Sequence, residues 1–358
     1  MRGGLAAGLL FVLPGALVIL ALSLLYAHAA QLGWFAALFL GIKAAVLAIV
    51  LQALHRVAGR ALNTGLKRTI ALAAFLALTV LALPFPLVVL GAGAIGMAAA
   101  AARPDLLALA PAATVPPDSR RRWAETLRAV VVGLVAWGAP LAAVLSLLGP
   151  DHVLSRIGLF FAKLAVVTFG GAYAVLTYMA QQAVNGFGWL SAGEMADGLG
   201  LAETTPGPLI MVTQFVGFLA AFRAPEPFSP VVAGVLGAAL TTWVTFAPCF
   251  LWIFALAPWM ERLEQAQRLK GGLAAITAAV VGVIANLTLW FALHVLFART
   301  VAVRLAGIRT SLPDPTSLDW RAALLALVAA GLIFAARRNV ITVLGICAVG
   351  GLALGQIG

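Results

Sequence analysis

Long apolar stretches alternate with short polar segments along the whole chain. Each stretch is continuous over about 15–28 residues, which is the length of helix that crosses a bilayer. The strands of a transmembrane barrel would instead alternate between apolar and polar positions. The predicted spans are residues 4–27, 34–54, 70–84, 86–101, 129–148, 157–184, 208–222, 231–257, 270–297, 320–336 and 339–357. The pattern predicts an all-α, polytopic membrane protein with about 10–11 membrane segments.

The composition supports a membrane location. Hydrophobic residues make up 63% of the 358 residues and charged residues only 10%, with a mean hydropathy of +1.07. A soluble protein of this length does not have enough interior to bury so many apolar side chains. The formal net charge of +11 comes from basic residues between the apolar stretches, where such residues set topology. We therefore expect a multi-pass membrane protein that binds no nucleic acid.

The cysteines and histidines do not indicate a metal site or a disulfide. Cys249 and Cys347 both lie in apolar stretches and lack the spacing of metal ligands. The four histidines are scattered near predicted helix ends. The sequence also contains no nucleotide-binding loop, which argues against direct coupling to ATP. We expect no metal and no cofactor.

A hydrophilic, proline-containing linker divides the chain. Residues 103–128 are the only long polar stretch. They separate an incomplete first transporter half, residues 1–102, from a second half, residues 129–358. Within the second half, residues 129–148 are expected to form a connecting span and residues 157–358 the repeat.

Identities at a constant offset indicate that the two halves are homologous. A shift of 234 positions places Pro14 on Pro248, and a shift of 254 places Gly96 on Gly350. The identities cluster around helix-breaking residues, which favours a true repeat. The alternative is shared membrane composition, because apolar sequences match by chance often.

Basic loops indicate that the halves have opposite orientations. Lys and Arg between spans favour the cytoplasmic side, and the extra connecting span reverses everything that follows it. Residues 4–27 and 231–257 are therefore expected to run in opposite directions, as in transporters with inverted repeats. Residues 157–222 would map before Met1 by the same shift, so we expect an N-terminally shortened member of such a family.

Two lysines lie inside predicted spans. A cation at mid-membrane costs several kcal/mol unless it is paired or hydrated, which makes Lys163 and Lys43 candidates for binding a substrate anion. Lys163 lies only about 9 Å along its helix, so its amine can alternatively reach the membrane interface. Lys43 lies deeper in its span, and this alternative explains it less well.

Helix breaks and acidic residues follow Lys163. Gly170 and Gly171 either kink the helix or let another helix pack closely. The sequence from Ser191 to Glu194 is a capping box at the start of a short helix, which favours a structural role for Glu194 over proton transfer. Glu194 and Asp197 on this short helix are nevertheless retained as candidates for coupling transport to a second ion.

The segment Glu203-Thr-Thr-Pro-Gly-Pro208 ends the short helix and starts the next. Prolines suit a first helical turn, and a helix that starts inside the membrane would direct free N–H groups at an anion. The candidate substrate-binding residues of this segment are Thr204, Thr205, Pro206, Gly207 and Pro208. Glu203 is a third coupling candidate or a partner for Lys163; the alternative is an interfacial charge. The alternative to a broken, re-entrant helix is an ordinary tilted helix with an N-terminal proline.

These motifs together resemble the chromate ion transporter family. The matching segments are Phe160-Phe-Ala-Lys163, Phe169-Gly-Gly-Ala-Tyr173, Trp189-Leu-Ser191, Glu203-Thr-Thr-Pro-Gly-Pro208, Gln214-Phe-Val-Gly217, Thr242-Trp-Val-Thr-Phe-Ala-Pro-Cys249, Phe11-Val-Leu-Pro-Gly15 and Gly41-Ile-Lys-Ala-Ala45. The resemblance covers nearly the whole chain. It implies two homologous halves of opposite orientation that export chromate across the inner (plasma) membrane and confer chromate resistance. The chain departs from the family pattern because its first half has neither a Phe-Gly-Gly-Pro nor a Pro-Gly-Pro segment.

The sequence therefore predicts a secondary transporter that moves chromate by alternating access and is not an enzyme. Sulfate or another oxyanion is an alternative substrate, because it shares charge and shape with chromate. An enzyme acting on lipid phosphates would need clustered His, Asp or Glu, and the acids here are dispersed. An inactive, truncated remnant is a further alternative. The expected partners are chromate or a similar oxyanion and the lipid bilayer, with a homodimer as one assembly.

Overall fold

The protein is built almost entirely from α-helices. The computed structural model describes residues 2–30, 32–107, 120–167, 172–205, 207–263, 265–305 and 308–355. The helices are α1 (Arg2–Ala29), α2 (Gly33–Ala61), α3 (Gly65–Thr79), α4 (Phe85–Ala102), α5 (Arg120–Leu148), α6 (Val153–Val167), α7 (Ala172–Gln181), α8 (Ala192–Thr204), α9 (Val212–Arg223), α10 (Pro230–Leu256), α11 (Met260–Leu263), α12 (Gln267–Leu296), α13 (Trp320–Ala330) and α14 (Val340–Gly355). The strands β1 (Thr300–Leu305) and β2 (Ile308–Pro313) complete it.

Six helices in the described ranges are long and apolar enough to cross a membrane. They are Gly3–Ala29, Gly33–Ala61, Phe85–Ala102, Arg122–Leu148, Pro230–Trp259 and Gln267–Leu296. Shorter apolar helices cover Leu209–Arg223, Trp320–Ala335 and Val340–Gly355. At 1.5 Å per residue, a helix of about 15 residues is only about 22 Å long, against about 30 Å for a bilayer core. The prediction of a multi-pass helical membrane protein is confirmed.

Two predicted boundaries differ from the structure. The single predicted span 157–184 is divided between α6 and α7, and residues 168–171 between them lie outside the described ranges. The predicted linker is partly helical, because Pro104–Leu107 forms a 3₁₀ turn and residues 120–128 belong to the first turns of α5.

The antiparallel β1–β2 hairpin was not predicted. The strand residues Thr300, Val301 and Val303 are β-branched and favour extended backbone, but so short a segment gives no helix-length apolar signal. An ion pair of 3.4 Å between Arg299 Nη2 and Asp314 Oδ2 lies at the base of the hairpin. Hydrogen bonds from Thr316 hold the pKa of the Asp314 carboxyl below its usual range.

The helices form two compact units, and each unit draws helices from both predicted halves. The first unit consists of Met1–Leu25, Ala110–Thr168 and Thr205–Lys270, and the second of Tyr26–Leu109, Phe169–Thr204 and Gly271–Gly358.

In the first unit, α10 is the central helix. It packs on α9, α5 and α6. Glycine makes the contact with α9 close, because a Cβ on Gly217 would overlap Thr241 Oγ1. The contact with α5 includes a 3.0 Å hydrogen bond that Trp137 Nε1 donates to the Val244 carbonyl. Small residues and directed side-chain bonds thus hold this unit together.

The first unit also contains α1, which runs antiparallel to α10. Gly4 of α1 faces the Phe254 ring and Gly8 faces the Phe250 ring, so residue numbers rise along one helix as they fall along the other. A cavity of about 680 Å³ lies between α1, α5 and α10. Its lining is mostly apolar, as expected for helices that face lipid or one another.

In the second unit, α2 packs on α13 and α14. Helix α12 contacts α3 and α4 through a separate group of buried residues. They are Ile70 and five small residues, Ala74, Ala92, Ala275, Ala278 and Ala279. Small side chains let the helix backbones approach closely, which is how membrane helices gain packing energy in the absence of water.

Candidate functional site

The structure pairs two of the predicted site residues, Lys43 of α2 and Asp197 of α8. Lys43 Nζ lies 3.1 Å from Asp197 Oδ1, and the two side chains are 22% and 10% exposed. The hydroxyl of Tyr26, near the end of α1, donates a 2.6 Å hydrogen bond to Asp197 Oδ2. A buried charge is costly unless it is paired and hydrogen-bonded. These residues, the Lys43–Asp197–Tyr26 cluster, compensate one another inside the second unit.

Helix periodicity places Lys43 on the same face of α2 as two aromatic residues. Phe35, Phe39 and Lys43 follow one another at intervals of four residues, so their side chains stack along the helix. The ring of Tyr26 packs edge-on against Phe35 and Phe39, with centroid distances of 5.8 and 5.5 Å. This aromatic contact fixes the ring and leaves its hydroxyl directed at Asp197.

Gly200 lets α8 lie close to α2 beside the cluster. A Cβ on Gly200 would lie only 2.6 Å from Ile42 Cγ2. Ile42 immediately precedes Lys43, and Gly200 lies about one turn after Asp197. The absence of a side chain at this position therefore brings the carboxylate within reach of the amine.

The pairing leaves Asp197 incompletely satisfied. Its Oδ1 atom is buried and accepts no hydrogen bond of good geometry from the described residues. The 3.1 Å approach of Lys43 Nζ is therefore an ionic contact whose geometry is poor for a hydrogen bond. Oδ1 keeps an acceptor position that a proton or another donor can fill.

Glu194 forms the predicted capping box at the start of α8. Its Oε2 accepts a 2.8 Å hydrogen bond from the Ser191 backbone N–H, and the Glu194 N–H donates to Ser191 Oγ at 3.2 Å. The structural role expected for Glu194 is confirmed. Leu190 and Met195, which flank the box, are both buried.

The predicted helix break between α8 and α9 is present. Helix α8 ends at Thr204, a 3₁₀ turn covers Leu209–Met211, and α9 begins at Val212. Gly207 has φ of +141°, a conformation that side chains disfavour, and Pro208 precedes the 3₁₀ turn in extended conformation. No continuous helix runs through the described residues of this segment.

Pro206 lies outside the described residues, and nothing is described of the Thr204 side chain. Glu203 and Thr205 are both half-buried. A helix break alone does not establish that this segment re-enters the membrane. The re-entrant helix therefore stays a prediction.

The middle of α1, beside its internal Pro14, contacts this break inside the first unit. A Cβ on Gly207 would lie 3.2 Å from Gly15 Cα, next to Pro14 in α1. Gln214 of α9, only 3% exposed, donates a 2.8 Å hydrogen bond to the Ala16 carbonyl. Gln214 Oε1 accepts a 2.9 Å hydrogen bond from Thr242 of α10. Gln214 thus ties α9 to both α1 and α10 at the edge of the cavity.

Lys163 is exposed on α6. Thr177 of α7 is buried and donates a 3.4 Å hydrogen bond to the Val283 carbonyl. Gly170 and Gly171 lie outside the described residues, and their role in a site stays a prediction.

Three polar residues of these clusters were not predicted as site residues. Tyr26 is separated from Asp197 by 171 positions, and no local pattern connects them. Gln214 and Thr242 gave a usable signal, because each is a hydrogen-bonding side chain within an apolar helix. Within the described ranges, no three His, Cys, Asp or Glu side chains come close enough together to bind a metal ion.

The chain is similar to known chromate transport proteins. A profile of the family described as "Chromate transporter" matches residues 1–97 and 155–352. The chain is 32% identical over 295 residues to a "Chromate transport protein" of Pseudomonas aeruginosa, covering 80% of this chain. It is 26% identical over 284 residues to a "Chromate transport protein" of Cupriavidus metallidurans, covering 79% of this chain. A "Probable chromate transport protein" of Synechococcus elongatus is 28% identical over 285 residues, again covering 79%.

These relatives are longer than the part that this chain matches. The alignments cover 63% of the Pseudomonas protein, 63% of the Cupriavidus protein and 65% of the Synechococcus protein. The chain therefore spans just under two thirds of their length. No solved structure matches the chain significantly.

Proposed function

Because this chain belongs to the chromate transporter family, we propose that it exports chromate across the plasma membrane by alternating access and so confers chromate resistance. The observation that carries this proposal is the family match on both sides of the central linker. The printed names of three relatives agree on chromate as the transported ion. The proposed activity is secondary transport and not catalysis.

The Lys43–Asp197–Tyr26 cluster supplies the charge that an oxyanion transporter needs. A dianion leaving water must be compensated by cations and hydrogen-bond donors. Lys43 is a cation within one of the apolar, membrane-length helices, and its 22% exposure leaves the amine accessible. We assign Lys43 to substrate binding and Asp197 to ion coupling, with Glu203 as a further coupling candidate.

The break before α9 supplies a second set of candidate groups, in the first unit. The extended residues before α9 leave backbone N–H groups without helical acceptors, and oxyanions accept bonds from such groups. The proposed members in this unit are Thr205, Pro206, Gly207 and Pro208, with Lys163 as an additional cation. Gly170, Gly171 and Thr204, which belong to the second unit, remain separate substrate-binding candidates. Glu194 is the weakest coupling candidate, because its carboxylate already caps α8.

Close glycine contacts support the proposed inverted repeat. Gly351 of α14 lies against Ala37 and Gly41 of α2, and Gly96 of α4 lies against Gly271 and Ala275 of α12. Adding 234 to the numbers of the two α2 residues gives the numbers of the two α12 residues. The offset of 234 thus relates the α2 and α12 sides of two separate packing contacts in the second unit. The glycines on the other side, Gly96 and Gly351, lie within one residue of the offset of 254.

The cavity in the first unit supports the same repeat. Seven α1 residues line it: Leu5, Leu9, Val12, Leu13, Ala16, Leu17 and Leu20. The offset of 234 converts them to Ala239, Trp243, Phe246, Ala247, Phe250, Leu251 and Phe254 of α10, all of which also line the cavity. Equivalent faces of two antiparallel helices are what an inverted repeat requires.

Single cysteines at Asn63 and Thr316 are expected to react with an impermeant maleimide from opposite sides of the membrane. Asn63 lies between α2 and α3, and Thr316 between α12 and α13, which are equivalent connections in the proposed repeat. Both positions are exposed. The background protein would carry Cys249→Ala and Cys347→Ala. Labelling of both variants from the same side in intact cells would refute the inverted arrangement.

Replacing Lys163 by glutamine is expected to lower chromate export at least tenfold, or by about 1.4 kcal/mol in transition-state free energy. Glutamine preserves hydrogen bonding but removes the charge that attracts a dianion. Export and chromate resistance would be measured in cells at matched protein levels, with Lys270→Gln at the start of α12 as a control for loss of a charge elsewhere. Wild-type export by Lys163→Gln would mean that this exposed amine reaches the membrane interface instead.

A further inference from the structure

The Lys43–Asp197–Tyr26 cluster presents a carboxylate where the proposed function needs an oxyanion. Carboxylate oxygens and the oxygens of chromate or sulfate are both charged acceptors, and a lysine ammonium binds both by charge-assisted contacts. Asp197 Oδ1 lies 3.1 Å from Lys43 Nζ. It therefore occupies the position that an oxyanion oxygen would take at this amine.

Two anions cannot share Lys43 without a large energetic cost. Like charges a few ångströms apart repel strongly in a poorly hydrated site, and one of them then binds a proton. The Asp197 side chain is only 10% exposed, so water cannot stabilise a carboxylate that has lost its amine. The neutral acid can remain there, because the Tyr26 hydroxyl can still donate to its carbonyl oxygen.

We propose that Asp197 is an intramolecular substitute for the transported oxyanion, an inference that rests on the proposed anion transport. The incoming anion displaces the Asp197 carboxylate from Lys43, and Asp197 takes up one proton from water. An O–H bond forms on Asp197, Lys43 keeps its charge, and no bond of the anion breaks. One proton therefore accompanies each bound anion and leaves when Asp197 returns to Lys43.

The groups around Asp197 fit this exchange. The charged and titratable side chains that act on it are Lys43 from α2, Tyr26 from α1 and Glu194 from its own helix. Glu194 is held at the start of α8 by the Ser191 N–H, so it does not replace Asp197 at the amine. Its negative charge adds to the cost of an unpaired carboxylate. Tyr26 acts through Asp197 and is a positioning residue.

Calorimetric titration of the purified full chain with chromate, and separately with sulfate, tests the exchange. Titrations in two buffers of different ionisation enthalpy give the affinity and the number of protons taken up. The wild type is expected to take up about one proton per anion near neutral pH. Asp197→Asn is expected to take up none and to bind at least tenfold more tightly, because the amide has no charge that competes for Lys43.

Three further variants sharpen the test. Lys43→Gln is expected to lose anion binding. Tyr26→Phe is expected to tighten binding about threefold and to keep proton uptake, because it only loosens the carboxylate. Asp151→Asn, the same chemical change at an exposed aspartate, is the control and should behave as the wild type.

A folded Asp197→Asn protein that binds no more tightly than the wild type, or that still takes up a proton, would overturn the proposal. If that variant does not fold, Asp197→Glu decides the question. The glutamate variant retains a competing carboxylate and must retain proton uptake, and binding without a proton would again overturn the proposal.

Failure of the proposed exchange can be distinguished from failure of the proposed function. Proton-linked binding of sulfate or chromate in a protein that exports no chromate from cells would remove the proposed function and leave the exchange standing. Chromate export together with proton-independent binding would remove the proposed exchange and leave the proposed function standing.

Discussion

Replacing Gly41 with leucine is expected to prevent most of the protein from folding. A Cβ at this position would overlap the Cys347 carbonyl of α14, and a backbone carbonyl cannot rotate away as a side chain can. Overpacking costs about 1–3 kcal/mol even where side chains can rearrange, so we expect at least the upper end of that range. The fraction of monodisperse protein on size exclusion and the midpoint of thermal unfolding in detergent would measure the loss.

Gly345 is the matched control for Gly41. It lies on α14, the helix that Gly41 contacts, but a Cβ there would meet no atom within 4 Å. Gly345→Leu adds the same apolar side chain and should leave yield and unfolding midpoint close to the wild-type values. Equal recovery of the two leucine variants would show that α2 and α14 are not packed as closely as described.

Replacing Gly207 with alanine is expected to lower chromate export at least tenfold, or by about 1.4 kcal/mol, while folded protein is still recovered. Two effects combine at this position. The φ of +141° is strained for a residue with a side chain. The added Cβ would also lie 3.2 Å from Gly15 Cα and push the break before α9 away from α1. Export at matched protein levels is the measurement.

Gly188 separates backbone strain from crowding in this test. It also has a positive φ, of +64°, but a Cβ there would meet no atom within 4 Å. Gly188→Ala is expected to cost about 1–2 kcal/mol of stability and to leave export per folded molecule near the wild-type level. An equal loss of export in both variants would attribute the effect of Gly207→Ala to strain rather than to the contact with Gly15.

Most helices could be predicted because their signals are local. The predicted span 231–257 differs from α10, Pro230–Leu256, by one residue at each end, since a long apolar stretch after a proline defines a helix without reference to the rest of the chain. The capping box at Ser191 was also predictable, because both of its hydrogen bonds join residues three positions apart.

Contacts between side chains that lie far apart in the sequence could not be predicted in the same way. The sequence identified Lys43 and Asp197 as separate candidates with separate roles, and the structure brings them together. Nothing near either residue indicates Tyr26, which reaches Asp197 only because the Phe35 and Phe39 rings hold it. The contact between Gly15 and Gly207 could not be predicted for the same reason. Each glycine can be recognised in its local sequence, but their proximity depends on the fold.

By itself, the sequence determined the membrane class of the protein, the positions of most helices, the helix break before α9 and the charged residues that interrupt apolar segments. Those properties depend on hydrophobicity, backbone restriction and capping, which act over one or two helical turns. The tertiary structure alone decided that Asp197 lies beside Lys43 and Tyr26, and that Gln214 joins α1 to α10. Charges and hydrogen-bonding groups in an apolar interior must find partners at any distance along the chain, and close packing of helices at small residues determines which partners they find.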